Sequence, residues 1–515
     1  MKLSPHPAFL LFLVFAGIFA FTDRTRAANN ILLLIADDLG ADSSPLTGTA
    51  GASLPPMPNV MALRSSGVLF RNAWSHPTCS PMRASMLTGR HPFRTGIGTA
   101  LMDATSPQLQ SAEFTLPEAF AANAGLGYHL ASFGKWHLTA GPGTQSNPNT
   151  VGGWPHFAGL LNGALPDYYN WTKTTDGVNS NVTTYATTET ANDVIAWISA
   201  QGTSPWFAWV AFNAPHTPFH IPPTSLHSYG SGPLTNRQKF EAATEAMDTE
   251  IGRILASVNL SRTNIIFLGD NGTPPQVIQT PYTSGHAKDS LYEGGTKIPL
   301  LIAGPAVVSP NRESTALVHA VDLYATILAL AGIDVSSTQP AAKPTDSHSL
   351  FPILNATTDT PRFAFSEQFG GTLTTAESGH ALRDSLGYKL IQFDDNREEF
   401  YKVETDLNEA TNLLSATLSA AAQASYYSLR LELGNYQTTV ATPTIQSSAR
   451  TGSQFTIRVQ KIPGLTYSLY RSTALAYGTW SLLSGAIIVD EGSTIALTDP
   501  TASGNAFFYR VLAEQ

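Results

Sequence analysis

Short apolar runs that end abruptly in charged, amide or imidazole side chains recur along the first half of the chain. Asn30 to Ala36 (NILLLIA) gives way to Asp37, Asp38 and Gly40. Tyr128 to Phe133 (YHLASF) leads into Gly134, Lys135 and His137. Trp206 to Phe212 (WFAWVAF) leads into Asn213, Pro215 and His216, and Asn264 to Leu268 (NIIFL) into Gly269, Asp270, Asn271 and Gly272. Short runs without polar alternation predict strands buried on both faces of a parallel sheet. Helical spacing lies between them. Phe114 to Ala124 has Thr115 as a cap, Pro117 in its first turn and Gly125 as its stop. Asn236 to Val258 carries Phe240, Met247, Ile251, Ile254 and Leu255 on one face. Alternating strands and helices predict an α/β fold with a mainly parallel sheet. Ligands bind beyond the carboxyl ends of such strands, so four runs with polar ends point to one shared site.

The pattern changes after Leu354. Arg383 to Gln392 and Phe400 to Val403 read as strands of a small antiparallel sheet, and Thr405 to Leu414 as a turn into a final helix. A stretch rich in Thr, Pro and Ser, Thr438 to Ser448, reads as a linker. From Phe455 onward, short β-rich runs at regular spacing predict a small β-sandwich. Its Tyr467, Trp480 and Tyr509 are expected in that sandwich's core in preference to a sugar-stacking surface.

Composition narrows the partners. The chain has 515 residues, a net charge of −9 and only 13% charged residues, against about a quarter in an average globular protein. No basic block stands out, which argues against nucleic acid and anionic membranes as partners. Lys2, the apolar stretch Ala8 to Phe21 and the small residues Ala27 and Ala28 read as a signal peptide. That stretch is too short for an ordinary membrane span, so no stable membrane insertion and a secreted or periplasmic location are expected. The single cysteine, Cys79, has no partner for an internal disulfide.

Cys79-Ser80-Pro81-Met82-Arg83, followed by Leu87-Thr88-Gly89-Arg90, resembles the signature of the type I sulfatases of the alkaline phosphatase superfamily. Further elements resemble that family in the same order. They are Asp37-Asp38, Gly134-Lys135-Trp136-His137, Asn213-Ala-Pro-His216, Asp270-Asn271-Gly272, and Lys288 before Tyr292-Glu293-Gly294-Gly295. The similarity extends from about Asn29 to Leu414 and leaves out the β-rich tail. Three departures stand out: Met82 where a small residue is usual, Leu-Thr-Ala-Gly after His137, and only a loose counterpart of a further family segment at Gly153-Trp154-Pro155.

The resemblance implies an alkaline-phosphatase-like sheet sandwiched by helices, a smaller antiparallel α+β C-terminal subdomain and an additional C-terminal β-sandwich. The expected division is a signal peptide over 1–27, a catalytic domain over 28–354, the subdomain over 355–437, a linker over 438–454 and the accessory domain over 455–515. It implies hydrolysis of a sulfate monoester, on a small molecule or a carbohydrate, by a formylglycine that a formylglycine-generating maturation enzyme makes from Cys79. In this scheme one hydroxyl of the hydrated aldehyde attacks sulfur and the second releases sulfate. Asp37, Asp38, Asp270, Asn271 and position 79 would hold one Ca2+. Arg83 would fix the nucleophile, and Lys135 and Lys288 the sulfate. His137 would be the base and His216, at the sulfate as well, the acid.

The residue types fit independently of the family. Hard oxygen ligands suit calcium or magnesium, three carboxylates at one place repel each other without cations, and histidine transfers protons near neutral pH. His76, His220 and His286 are candidates for the pocket rim. The competing readings are a phosphate or phosphonate monoester hydrolase of the same superfamily, and an inactive homologue that binds polysaccharide.

Overall fold

The fold is that of a computed structural model describing residues 29–48, 52–355, 362–434, 436, 445–461, 466–473, 480–502 and 507–514. The stretch read as a signal peptide lies outside the described residues. Ten strands form the main sheet: β1 (Asn30–Ala36), β2 (Gly67–Trp74), β3 (His129–Lys135), β4 (Phe157–Leu160), β5 (Trp171–Thr175), β6 (Val178–Val182), β7 (Trp206–Ala211), β8 (Thr263–Gly269), β9 (Leu300–Ala303) and β10 (Arg312–His319). Their order is β10-β2-β9-β8-β1-β7-β3-β4-β5-β6. The centre, β8-β1-β7-β3-β4, is parallel throughout. The antiparallel β9 lies between β2 and β8, too short a run for the sequence pattern to reveal.

β1 shows why its sequence is unbroken in apolar residues. Ile31, Leu33 and Ile35 enter the core on one face of the sheet, and Leu32, Leu34 and Ala36 enter a second core on the other. The two predicted helices occur at Leu116–Ala122 and Asn236–Ala256. Each opens with a reciprocal capping box, Thr115 with Glu118 and Thr235 with Gln238.

The second sheet runs β11 (Ala364–Gln368), β12 (Gly379–Arg383), β13 (Tyr388–Phe393), β14 (Glu398–Lys402) in sequence order. Ala381, Ile391 and Phe393 pack on Trp74 and Leu317 of the main domain. Leu382, Leu390 and Phe400 pack on the helix Ala420–Leu433.

The tail forms a four-stranded sheet, in which β15 (Ile445–Thr451), β16 (Gln454–Gln460), β20 (Thr494–Asp499) and β19 (Ile487–Asp490) are neighbours. Beside it lies a three-stranded sheet of β18 (Ser481–Leu482), β17 (Thr466–Ser472) and β21 (Phe508–Glu514). Both sheets contribute to one apolar cluster, with Ile457, Val459 and Leu497 against Tyr467 and Leu469. The stretch read as a linker contains β15. This strand is exposed along its whole length, so it leaves no apolar period in the sequence. Tyr467 and Trp480 are buried, Trp480 against Leu431 of the preceding helix, and the half-buried Tyr509 donates its hydroxyl to Asp499 Oδ2 at 2.8 Å. Among the described residues no helix is long and apolar enough to cross a membrane.

Candidate active site

The carboxyl ends of β1, β8, β3 and β7 are neighbours in the sheet, so their polar extensions converge. Asp37 and Asp38 follow β1, Asp270 and Asn271 follow β8, Lys135 ends β3 with His137 just beyond, and His216 follows β7. Backbone bonds fasten these ends together. Asp37 N donates to Ala214 O (3.1 Å) and Asp270 N to Ala36 O (3.0 Å), while Asp38 N donates to Asp270 Oδ1 (2.8 Å). Gly134 is required where β3 passes β7: a Cβ there would lie 1.9 Å from Ala211 O, and its φ is +80°.

Cys79 begins the fully buried helix Cys79–Thr88, which ends in a left-handed Gly89. Cys79, Asp37 and Asp270 each direct a ligand-type atom into one cluster, with these atoms within 4.8 Å of one another. Arg83, one turn along the same helix, is buried. It donates Nη2 to Asp270 Oδ2 (2.9 Å) and Nη1 to Lys135 O (3.0 Å), with Asp37 Oδ1 3.7 Å away. Lys135 Nζ donates to Asp37 Oδ2 at 2.7 Å. Lys288 Nζ lies 2.9 Å from Asp38 Oδ2 and 2.7 Å from its Oδ1. His216 Nε2 is 3.6 Å from Asp38 Oδ2. Met82, which departs from the usual small residue, turns into the hydrophobic core, away from this cluster.

Three carboxylates, two lysines and an arginine thus share one water-poor space, and their titration reflects it. Burial drives Asp37 well above the usual carboxylate range, only partly opposed by Lys135. Burial would also raise Asp38, but Lys288 and His216 outweigh it and hold that carboxyl low. Asp270 is held low by Arg83 and Lys135 against the same burial effect. Burial pushes the Cys79 thiol up, so at neutral pH it is a protonated, poorly nucleophilic group.

Two oxygens test whether a cation fits. Asp37 Oδ1 and Asn271 Oδ1 are buried without a hydrogen-bond partner. Asn271 is oriented by donating Nδ2 to Asp38 Oδ1 (2.8 Å) and Gly272 O (3.0 Å), so its carbonyl oxygen is the free atom. Unpaired buried acceptors are costly, and hard oxygen donors beside two further carboxylates suit a divalent cation. The residues present fit such an ion.

The two histidines are poised by their carbonyl partners. His137 Nε2 is 2.8 Å from Leu101 O, which can only accept, so Nε2 carries the proton. Its Nδ1 is then a bare lone pair, buried and without a partner. Burial, reinforced by Lys135, pushes its pKa well below the usual value. His216 donates Nδ1–H to Thr217 O (2.9 Å), which leaves Nε2 as the titrating atom. Burial lowers its pKa to about 4.

Several supporting residues carry little sequence signal. Ser80 Oγ donates to His137 O (2.9 Å) and accepts from Leu101 N (3.1 Å), tying the Cys79 helix to the His137 loop. Tyr168 donates its hydroxyl to Asn213 O (2.6 Å) and His216 O (2.8 Å) and so fixes the turn that carries His216. Ser80 lies inside the cysteine motif; Tyr168 comes from a segment with no periodicity.

Of the three histidines expected at the rim, two are partly exposed and stack on tyrosines, and one is fully buried. His220 stacks on Tyr168 with ring centroids 3.8 Å apart, and His286 stacks on Tyr292 at 3.6 Å. His76 is fully buried beside His91 and His319. Glu367 N and Val321 N donate to Nδ1 of His76 and His319, which leaves the ring protons on Nε2. His76 Nε2 then bonds His91 Nδ1 at 3.2 Å. In this buried trio His76 and His91 share a ring hydrogen bond, while His319 Nε2 has no hydrogen-bond partner.

A mainly parallel sheet with an acidic, cation-ready cluster at its carboxyl edge defines a hydrolase of the alkaline-phosphatase-like class. The sulfatase family model matches residues 29–333, and that of the N-sulphoglucosamine sulphohydrolase C-terminal region matches 285–433. N-acetylgalactosamine-6-sulfatase of Homo sapiens is 30% identical over 388 residues, covering 68% of this chain and 70% of that protein. The solved structure of Ps i-CgsB is similar with a TM-score of 0.66 at 23% identity, covering 79% of this chain and 92% of that one. A second structure, in complex with its substrate D-glucosamine-2-N,6-O-disulfate, has a TM-score of 0.62 at 20% identity over 80% and 98% of the two chains. The chain belongs to the sulfatase family. It is an enzyme that hydrolyses sulfuric esters.

Proposed function

We propose that this enzyme removes sulfate from a sulfated carbohydrate outside the cytoplasm, using one calcium ion and a formylglycine produced from Cys79 by a maturation enzyme. The observation that carries the reading is the placement of Cys79 within the Asp37–Asp270 cluster, as a buried, protonated thiol that is inert as it stands. Relatives named as acting on N-acetylgalactosamine 6-sulfate and a neighbour bound to a disulfated glucosamine support the carbohydrate. Residues 28–354 would form the catalytic domain, with 355–437 as its subdomain.

Asp37, Asp38, Asp270, Asn271 and an oxygen at position 79 would hold calcium, which would supply charge neutralisation at the sulfuryl oxygens. The hydrated aldehyde, represented here by the Cys79 Sγ position, would supply the attacking hydroxyl. Arg83, whose fork already bridges Asp270 and the Lys135 carbonyl, holds that group in place. Lys135 and Lys288, now paired with Asp37 and Asp38, would receive the sulfate oxygens. His137 accepts a proton at its bare Nδ1, and His216, once it has taken up a proton at Nε2, would deliver it to the departing alcohol.

The test combines two measurements. Mass spectrometry of the Cys79 peptide from the native host should show the aldehyde. Hydrolysis of 4-nitrophenyl sulfate should vanish with chelator and return with calcium. An intact thiol in fully active enzyme would sink the proposal.

A further inference from the structure

The two pairs of cation ligands sit on separate loops, Asp37-Asp38 after β1 and Asp270-Asn271 after β8. The affinity for an ion held between them depends on how firmly those loops keep their spacing, because ligand groups lean on the hydrogen bonds behind them. One bond between the loops, from Asp38 N to Asp270 Oδ1, occupies an oxygen of a ligand. A second clasp occupies none. Two residues beyond each pair, Gly40 N donates to Thr273 Oγ1 at 3.2 Å. The Thr273 hydroxyl donates in turn to Asp42 Oδ1 at 2.6 Å.

Asp42 is fixed on its other side as well. Its Oδ2 accepts from Ser43 Oγ (2.7 Å) and Gln279 N (3.3 Å), and Gln279 Nε2 donates to Asp42 O (2.9 Å). Arg237, in the helix Asn236–Ala256, donates Nη1 to Ser43 Oγ at 2.8 Å. Both Asp42 oxygens thus face protein donors, unlike Asp37 Oδ1 and Asn271 Oδ1, which have no partner. Asp42 is therefore built as a support and not as a ligand. The approach of the two loops is close: a Cβ on Gly40 would stand 2.6 Å from Thr273 N and 2.8 Å from its Oγ1. Asp42 and Thr273 are both fully buried, so no bulk water stands ready to replace a lost bond. Thr273 O also accepts from Lys288 N at 3.0 Å, a backbone bond that side-chain substitutions at Thr273 do not delete.

We propose that Asp42 and Thr273 are positioning residues that set the spacing between the Asp37-Asp38 and Asp270-Asn271 pairs, and through it the affinity for calcium. The inference rests on the calcium reading above and deepens it.

The test titrates calcium into mature enzyme stripped with chelator, for wild type, Thr273→Val and Thr273→Ser. Valine keeps the shape of threonine and removes the hydroxyl; serine keeps the hydroxyl. Calorimetry should give Thr273→Val a calcium Kd about 10–100 times that of wild type, the scale for loss of a group that supports a metal ligand. Thr273→Ser should bind calcium close to the wild-type value. The calcium concentration for half-maximal hydrolysis of 4-nitrophenyl sulfate should move by the same factor as Kd. The rise in Tm on adding a fixed calcium concentration should shrink in Thr273→Val, whereas a residue that served the fold alone would lower Tm equally with and without the ion. Should Thr273→Val fail to fold, Asp42→Asn, which cannot accept at both side-chain positions, is read in the same three ways. Kd values equal to wild type in the variant that folds, or a loss at Thr273→Val that serine does not restore, would overturn the clasp. A wild type that binds no calcium would overturn the calcium reading itself, and this inference with it.

Discussion

Replacing Lys288 by methionine isolates the electrostatic logic of the reactive cluster. Without an ion, Asp37, Asp38 and Asp270 are balanced by Arg83, Lys135 and Lys288. Lys288 is the cation nearest Asp38, at 2.7 and 2.9 Å from its two oxygens, and the Asp38 side chain is 1% exposed. Removing one partner of a buried pair costs roughly 3–5 kcal/mol. For a cooperative unit of this size that is a fall in Tm of about 4–7 °C. A divalent cation can take over the role of the missing charge, and saturation at 1,000 times Kd restores about 4 kcal/mol. Lys288→Met should therefore unfold near the wild-type temperature in excess calcium and well below it in chelator. The chelator-induced shift should be larger in the variant than in wild type, where Lys288 competes with the ion for Asp38. Its kcat/KM on 4-nitrophenyl sulfate in excess calcium should drop by about 10²–10³, the scale of one lost oxyanion contact. Lys288 lies far in sequence from the cysteine motif, so aldehyde formation, checked by mass spectrometry, should be unaffected. Equal chelator shifts in the two proteins, or a variant rate within about threefold of wild type, would refute the reasoning.

Other outcomes follow from the same geometry. His216→Ala should slow sugar sulfates, whose alcohols leave poorly, by about 10²–10⁴, yet affect 4-nitrophenyl sulfate far less; equal effects would exclude it as the acid. His220, which burial beside Tyr168 lowers to about 4, binds its proton less readily in the folded chain than in the unfolded one. Its contribution is thus present above about pH 6.5 and lost as pH falls through about 4, and His220→Gln should flatten the denaturation midpoint across that window. Trp480→Ala should destabilise the tail by about 3–5 kcal/mol, seen as an earlier proteolytic cut, with unchanged turnover of 4-nitrophenyl sulfate.

Much of this molecule could be read from residue order because the central strands are buried on both faces. Unbroken apolar runs then mark the strands, and the polar residues that end them mark the site. The positions of Asp37, Lys135, His216 and Asp270 at adjacent strand ends follow from that single pattern. What escaped was built from contacts without periodicity. β15 is an exposed strand and β9 a four-residue insertion with reversed direction. The Tyr168 support of the His216 turn spans 48 residues. His76, placed near the cysteine by sequence distance, is carried into the core instead, because β2 delivers it against His319 at the end of β10.

Two of the reactive positions carry a further constraint. Asp38 and His137 have φ angles of 69° and 54°, the left-handed region that Asp, Asn, His and Gly enter most easily and β-branched residues avoid. Backbone shape alone therefore narrows the alphabet at both, whatever reaction is run there. Anyone retargeting this scaffold to another ester would find Asn or Gly tolerated where valine or threonine would first have to rebuild the loop.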